Sequence, residues 1–253
     1  MKQGLAPALA PAGVFDGWRT PPQHSFVPPA PAPARARYRI HPGSGQPVLV
    51  FPRQGAGAES TAALRSILSG AGFRAQDWGQ GRDQGPGTMG LDRWLRKLEE
   101  TVIDMFEATQ ARITLLGWGL SGIYARELAR RATPLVRQVI TLGTPFNTPA
   151  DPQRTCPVLA MLDAAGRLPL AARTRLRLAP PVPLTAICSR YDGTVRWEQC
   201  VDRLSGQAEC IEIAGARHHE LATHPLALEA ISQRLAQAED SWSPFVREEA
   251  PQA

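Results

Sequence analysis

The chain has 253 residues, 43% hydrophobic and 20% charged, which suffices to bury a core and excludes a wholly disordered polymer. No apolar run approaches the roughly 20 residues needed to cross a bilayer. The opening MKQGLAPALAPAGVF, with one lysine and an apolar stretch broken by prolines, makes a poor secretory signal, so a cytoplasmic address is expected. The net charge of +5 sits mostly in residues 1–46, where Lys2, Arg19, Arg35, Arg37 and Arg39 face Asp16 alone, leaving +1 for the remaining 207 residues. A body that close to neutral lacks the basic face that phosphates demand, and nucleic acid is not an expected partner.

Residues 1–46 contain nine prolines. Proline fixes φ and removes a donor, so this arm sustains neither a helix nor a central strand; it reads as extended, laid over the body through Phe15, Trp18 and Phe26, or as disordered. From Pro47 strands alternate with helices. PVLVF at 47–51 suits a buried parallel strand, and 60–70 a helix opening on a Ser60 cap and closing at Gly70. A second strand follows at 73–78. Residues 91–110 place Leu91, Leu95, Leu98, Val102, Met105 and Phe106 on one helical stripe.

A third strand at 113–117 runs into a helix at 121–132. Strands at 136–143, 182–189 and 208–215 and a helix at 225–237 complete the body, ahead of a tail at 246–253. Such alternation builds βαβ units on a parallel sheet covered on both faces. Residues 144–181 break the rhythm with prolines and one or two short helical stretches such as VLAMLDAAG. An insertion there lies over the carboxyl edge of the sheet, where a lid belongs.

Three features follow in order: a glycine-rich turn, GWGLSG, between strand and helix; Asp192 just past a strand in CSRYDG; and His218 with His219 after the last strand in IAGARHHELATHP. Turn, acid and histidine in that order resemble the α/β-hydrolase family, in particular its bacterial esterase and lipase-like members. The likeness covers about 47–245 and is carried by PVLVFP, DWGQGRDQGP, LLGWGLSGIYAREL, VRQVITLGTPF, CSRYDGTVRW and ISQRLAQAEDSWSPF. It implies an α/β-hydrolase fold: a mostly parallel central sheet with helices on both faces and a small helical lid.

The family turn reads Gly-x-Ser-x-Gly. In register with it, Gly117 closes the strand and Gly119 holds the nucleophile position, while Ser121 takes the place of a small residue in the helix. Two helical steps of about 100° each point the Ser121 hydroxyl away from the tip; sliding the turn to rescue it as nucleophile puts β-branched Ile123 where a small residue is needed. After the first strand the resemblance calls for a glycine, and Arg53 stands there in Pro52-Arg53-Gln54-Gly55. Two readings of Arg53 stand: an anion partner in the pocket, or a side chain turned to solvent.

The N–H groups of Leu120 and Gln54 are the expected oxyanion donors, and Arg53 and Trp118 the expected substrate contacts. Asp192 is expected to orient and charge-stabilise the imidazole of His218, with His219 as the alternative base. His24, His41 and His224 read as solvent-facing or capping groups. Arg154, Arg167, Arg173, Arg175 and Arg177 of the lid offer a surface for acidic groups or a solvated face; Val158, Leu159, Met161, Leu162 and Leu168 roof an acyl pocket or simply pack.

Cys156, Cys188, Cys200 and Cys210 form no C-x-x-C pair and no Cys/His metal spacing, so no metal or cofactor is expected and buried free thiols are. The ligand expected is a small acyl or aromatic molecule; nothing in the sequence sets an oligomeric state. Three functions stand: a weak or inactive hydrolase relative that binds ligands or partners, an ester hydrolase using Ser121 or a water activated by His218, and a His–Asp dyad that abstracts protons.

Overall fold

The computed structural model describes residues 38–147, 162, 170–202 and 205–246. The run Pro47–Phe51 forms β1 and is buried throughout; Val48 and Val50 enter one core, Leu49 and Phe51 the other. A strand covered on both faces needs no polar side, so its hydrophobicity is continuous rather than alternating. β3 (Ile113–Trp118), β4 (Val136–Leu142) and β5 (Leu184–Cys188) are built the same way, whereas β2 (Arg74–Asp77) and β6 (Ala208–Glu212) are the less covered edges. The order is β2-β1-β3-β4-β5-β6, and every pairing is parallel.

The helices are α1 (Ala62–Gly70), α2 (Leu91–Thr109), α3 (Ser121–Arg131), α4 (Leu170–Arg177) and α5 (Pro225–Ala236). Leu64 and Leu68 of α1 and Leu228, Ile231 and Leu235 of α5 pack with Val48, Leu116 and Ile140 on one face of the sheet. Leu95, Leu98 and Val102 of α2 and Ile123 and Leu128 of α3 pack with Leu49, Leu115 and Val139 on the other. Strand order reverses at β1: the first crossover leads out to β2, the second back past β1 to β3. The loops leaving β1 and β3 therefore part at the carboxyl edge, and the crevice between them is where such sheets take ligands.

Most elements fall within three residues of their sequence-based bounds, but two expectations need correction. Ser60 caps no helix: it lies in a 3₁₀ turn, Ala58–Thr61, and its hydroxyl donates to Gly57 O at 2.8 Å. α4, an arginine-rich segment with little apolar pattern, lies within the stretch expected to hold one or two short helices. Cys210 is exposed because β6 is an edge; its sulfur lies 3.2 Å from that of buried Cys188.

Of the arm, residues 38–46 are described, and the Gly43 and Gly45 amides donate to Ala71 O and Gly72 O at 2.7 and 2.8 Å. Phe15, Trp18, Phe26, His24, Cys156, Arg154, Arg167, Val158, Leu159, Met161 and Leu168 lie outside the described residues, as does all of the tail after Val246. Leu162 is buried in the core beside α2 and α3.

β3 and α3 meet at glycines. A Cβ on Gly117 would overlap Gly122 Cα and lie 2.7 Å from its nitrogen, both backbone atoms with no freedom to yield. Gly117→Ala is expected to cost about 1–3 kcal/mol, the usual price of overpacking, read as a lowered urea midpoint with an unchanged slope.

Candidate active site

β3 ends at Trp118 and the chain reverses through Gly119, at φ +63°. A side chain crowds the following carbonyl in this left-handed region, and glycine does not. The bend is tied by the Gly119 N–H to Leu142 O at 2.8 Å and closes into the helix through Ile123 N–H to Leu120 O at 2.9 Å. A Cβ built on Gly119 would stand 3.2 Å from His218 Nε2 and 3.6 Å from its Cε1. The apex of the turn is residue 119, and its side-chain direction meets the imidazole.

Ser121 is fully buried in the first turn of α3. Its hydroxyl accepts the Trp118 N–H at 3.1 Å and donates to the Trp118 carbonyl at 3.0 Å. Both capacities are engaged by the backbone at the end of β3, and the group is not turned to the cleft. Short hydroxyl side chains near helix starts commonly make such local bonds.

Asp192 follows β5 in a tight turn. Its Oδ1 accepts the N–H groups of Thr194 at 2.9 Å and Val195 at 2.6 Å, which holds the carboxylate still and leaves Oδ2 for His218 Nδ1 at 2.8 Å. The His218 N–H adds a backbone bond to Asp192 O at 2.9 Å. With the carboxylate accepting, Nδ1 carries the proton and Nε2 faces Gly119. His219 points elsewhere: its side chain is 64% exposed and lies 4.0 Å from Glu220. His224 caps α5, its Nδ1 accepting the Leu226 N–H at 3.3 Å, and burial lowers its pKa. His41 is half-buried.

Gly143, which ends β4, is a residue that sequence reasoning passed over. Its φ is +53°, and a Cβ there would stand 2.8 Å from both Asp192 Oδ2 and His218 Nδ1. The dyad closes only over a bare backbone. The available signal was a strand ending on glycine with no helix behind it.

Trp118 is buried beneath the histidine; its indole N–H donates to His218 O at 3.1 Å, and the two rings lie 6.1 Å apart. It braces the base. Arg53 is exposed, with Glu59 close enough to feel its charge. Leu120 follows the apex, and Gln54 lies half-buried in the loop after β1; among the described residues neither amide N–H has a hydrogen-bond partner.

Arg175 pairs with buried Glu127 at 2.9 Å and Arg177 reaches Asn147 Oδ1 at 3.3 Å, so these two fasten α4 to its neighbours. Burial holds the Cys200 thiol well up, and contact with Cys210 does the same for Cys188. Among the described residues no three His, Cys, Asp or Glu side chains gather as metal ligands, and no helix is long and apolar enough to cross a membrane.

No sequence-family model and no curated protein matches the chain. Solved structures do. Lipase BlEst2 of Bacillus licheniformis is similar with a TM-score of 0.58 at 13% identity, over 78% of this chain and 95% of that one. MGS-MChE2, an alpha/beta hydrolase from a lagoon-sediment metagenome, gives 0.56 at 16% over 76% and 91%. The pyrethroid hydrolase PytH gives 0.54 at 16% over 78% and 99%. At these identities the likeness establishes the fold alone, and that fold is the α/β-hydrolase fold.

Two substitutions separate the dyad from its support. Gly143→Ala is expected to abolish the downfield proton resonance of the Nδ1–H bonded to Asp192. Ser121→Ala is expected to keep that resonance while losing about 1–3 kcal/mol of stability, as the buried Trp118 amide and carbonyl lose a partner; proton NMR and urea unfolding read the two effects.

Proposed function

We propose that this chain is an esterase- or lipase-type hydrolase-fold protein that receives a small acyl or aromatic ligand without forming an acyl-enzyme, Gly119 standing in the nucleophile position. The observation that carries this reading is the pairing of the Gly119 side-chain direction, 3.2 Å from His218 Nε2, with a Ser121 hydroxyl committed to the Trp118 backbone. Ser121 is therefore set aside as nucleophile. The Leu120 and Gln54 amides offer two donors to a ligand carbonyl or carboxylate oxygen, and His218 offers Nε2 beside them. A triad stripped of one member keeps roughly 10³–10⁴-fold over water in the best-studied proteases, so residual hydrolysis is a small effect here.

A second reading has one observation in its favour: the bonded Asp192–His218 pair, its free nitrogen facing the space that a serine side chain would fill. There His218 takes a proton from a water as the water oxygen bonds to an ester carbonyl carbon. The carbon–alkoxide bond then breaks and the proton passes to the leaving oxygen.

The test is chemical. Wild-type protein is expected to resist a fluorophosphonate probe. Gly119→Ser is expected to react with it and to hydrolyse short acyl nitrophenyl esters faster than wild type by on the order of 10³ or more, once the imidazole yields a few tenths of an ångström. His218→Ala in that background should erase the gain. Probe labelling of wild type that disappears in Ser121→Ala would overturn the main reading; slow wild-type hydrolysis lost in His218→Ala would establish the second.

A further inference from the structure

The loop that leaves β1 is held from behind by one residue. The Gly55 N–H donates to Asp83 O at 2.7 Å, and the Asp83 N–H donates to Ala56 O at 2.9 Å, so the segment that presents the Gln54 amide hangs from the Asp83 backbone. The Asp83 side chain is completely buried. Its Oδ1 accepts the Gly85 N–H at 2.9 Å, and its Oδ2 has no hydrogen-bond partner. The Tyr124 hydroxyl, on α3, faces both the Asp83 carboxyl and the Trp94 indole nitrogen of α2. The hydroxyl and the indole nitrogen are likewise buried and without a direct partner.

Three bare polar atoms from three segments turned toward one place mark a site for an internal water, which takes about two to four polar partners. Its walls are stiff: Phe51, Trp78, Trp94 and Tyr124 follow one another edge-to-face at 6.1, 5.8 and 6.2 Å.

We propose that Asp83, Tyr124 and Trp94 hold one buried water, and that through this cluster Asp83 is a positioning residue for the Gln54 amide, a role that rests on the oxygen-binding reading of Gln54 and Leu120. Asp83 carries the loop of one amide, and Tyr124 lies one turn along α3 from the other. The cluster therefore sets the separation of the two donors.

Burial pushes the Asp83 carboxyl up to about 6, against the pull of the Gly85 N–H. Tyr124 is the titratable group that faces it among the described residues, and no cation there offsets it. As pH falls through that value the carboxylate gains a proton and its free oxygen turns from acceptor to donor. Water and tyrosine must then reverse their bonds, and the Gln54 loop shifts with them.

The experiment is an amide NMR titration of the full-length protein, wild type, Asp83→Asn and Tyr124→Phe, from about pH 5 to about pH 8, together with a crystal structure of the wild type. The Gln54 and Gly55 resonances are expected to move with a midpoint near pH 6 in wild type. They should stay flat in Asp83→Asn and follow a displaced midpoint in Tyr124→Phe. The crystal should show a water within hydrogen-bond reach of Asp83 Oδ2, Tyr124 Oη and Trp94 Nε1.

A midpoint that survives in Asp83→Asn belongs to another group and overturns the proposal. A flat wild-type titration or a dry cluster overturns it too. No ligand or turnover enters these readouts, so failure of the acyl-site reading, seen in the probe and ester assays, is told apart from failure of this one.

Discussion

The contact between Gly117 and Gly122 is the constraint on which the site depends. Strand and helix approach so closely there that neither residue can carry a side chain: a Cβ on Gly117 meets the backbone of Gly122, and one on Gly122 meets Thr144. That double restriction fixes where the strand must stop and the helix begin. Once the register is set, residue 119 occupies the bend, the amide of Leu120 follows it, and Ser121 is carried into the helix, where its hydroxyl closes on Trp118. The identity of the residue facing the imidazole is thus decided by packing several ångströms beneath the cleft.

Much of this was legible in the sequence because it follows from period and order. Continuous apolar runs gave the four inner strands, the stripe from Leu91 to Met105 gave α2, and the succession of turn, Asp192 and His218 pointed to a dyad that the fold brings to 2.8 Å. Residues whose roles are set by partners far along the chain were not legible. Gly143 is constrained by side chains on two later loops, and Asp83 faces a tyrosine on α3. Trp118 carried a ring that suits a ligand pocket or a core equally well, and its bond to the His218 carbonyl joins residues far apart in the chain. The bounds of α4, within the stretch expected to hold one or two short helices, were not legible because LAARTRLR owes its place to charge pairing with α3 rather than to an apolar stripe.

That pairing also changes the meaning of the arginines in 144–181. Glu127, nearly inaccessible on α3, accepts from Arg130 at 3.1 Å and from Arg175. Arg126 lies under the same region, its guanidinium 3.6 Å above the Phe146 ring and bonded to Leu178 O at 2.6 Å, with burial lowering its pKa to about 9. The helix after the apex therefore serves two structures at once: its first turn shapes the cleft, and its middle anchors the segment that follows β4. A basic surface awaiting acidic ligands and a set of struts are hard to tell apart in a sequence, and Arg175 and Arg177 are engaged as struts.

The absence of a side chain at residue 143 has a mechanical consequence for whatever enters the cleft. A side chain there would push the imidazole off Asp192, so the ring keeps its bond to the carboxylate because residue 143 presents backbone alone, and its outer nitrogen stays turned toward Gly119.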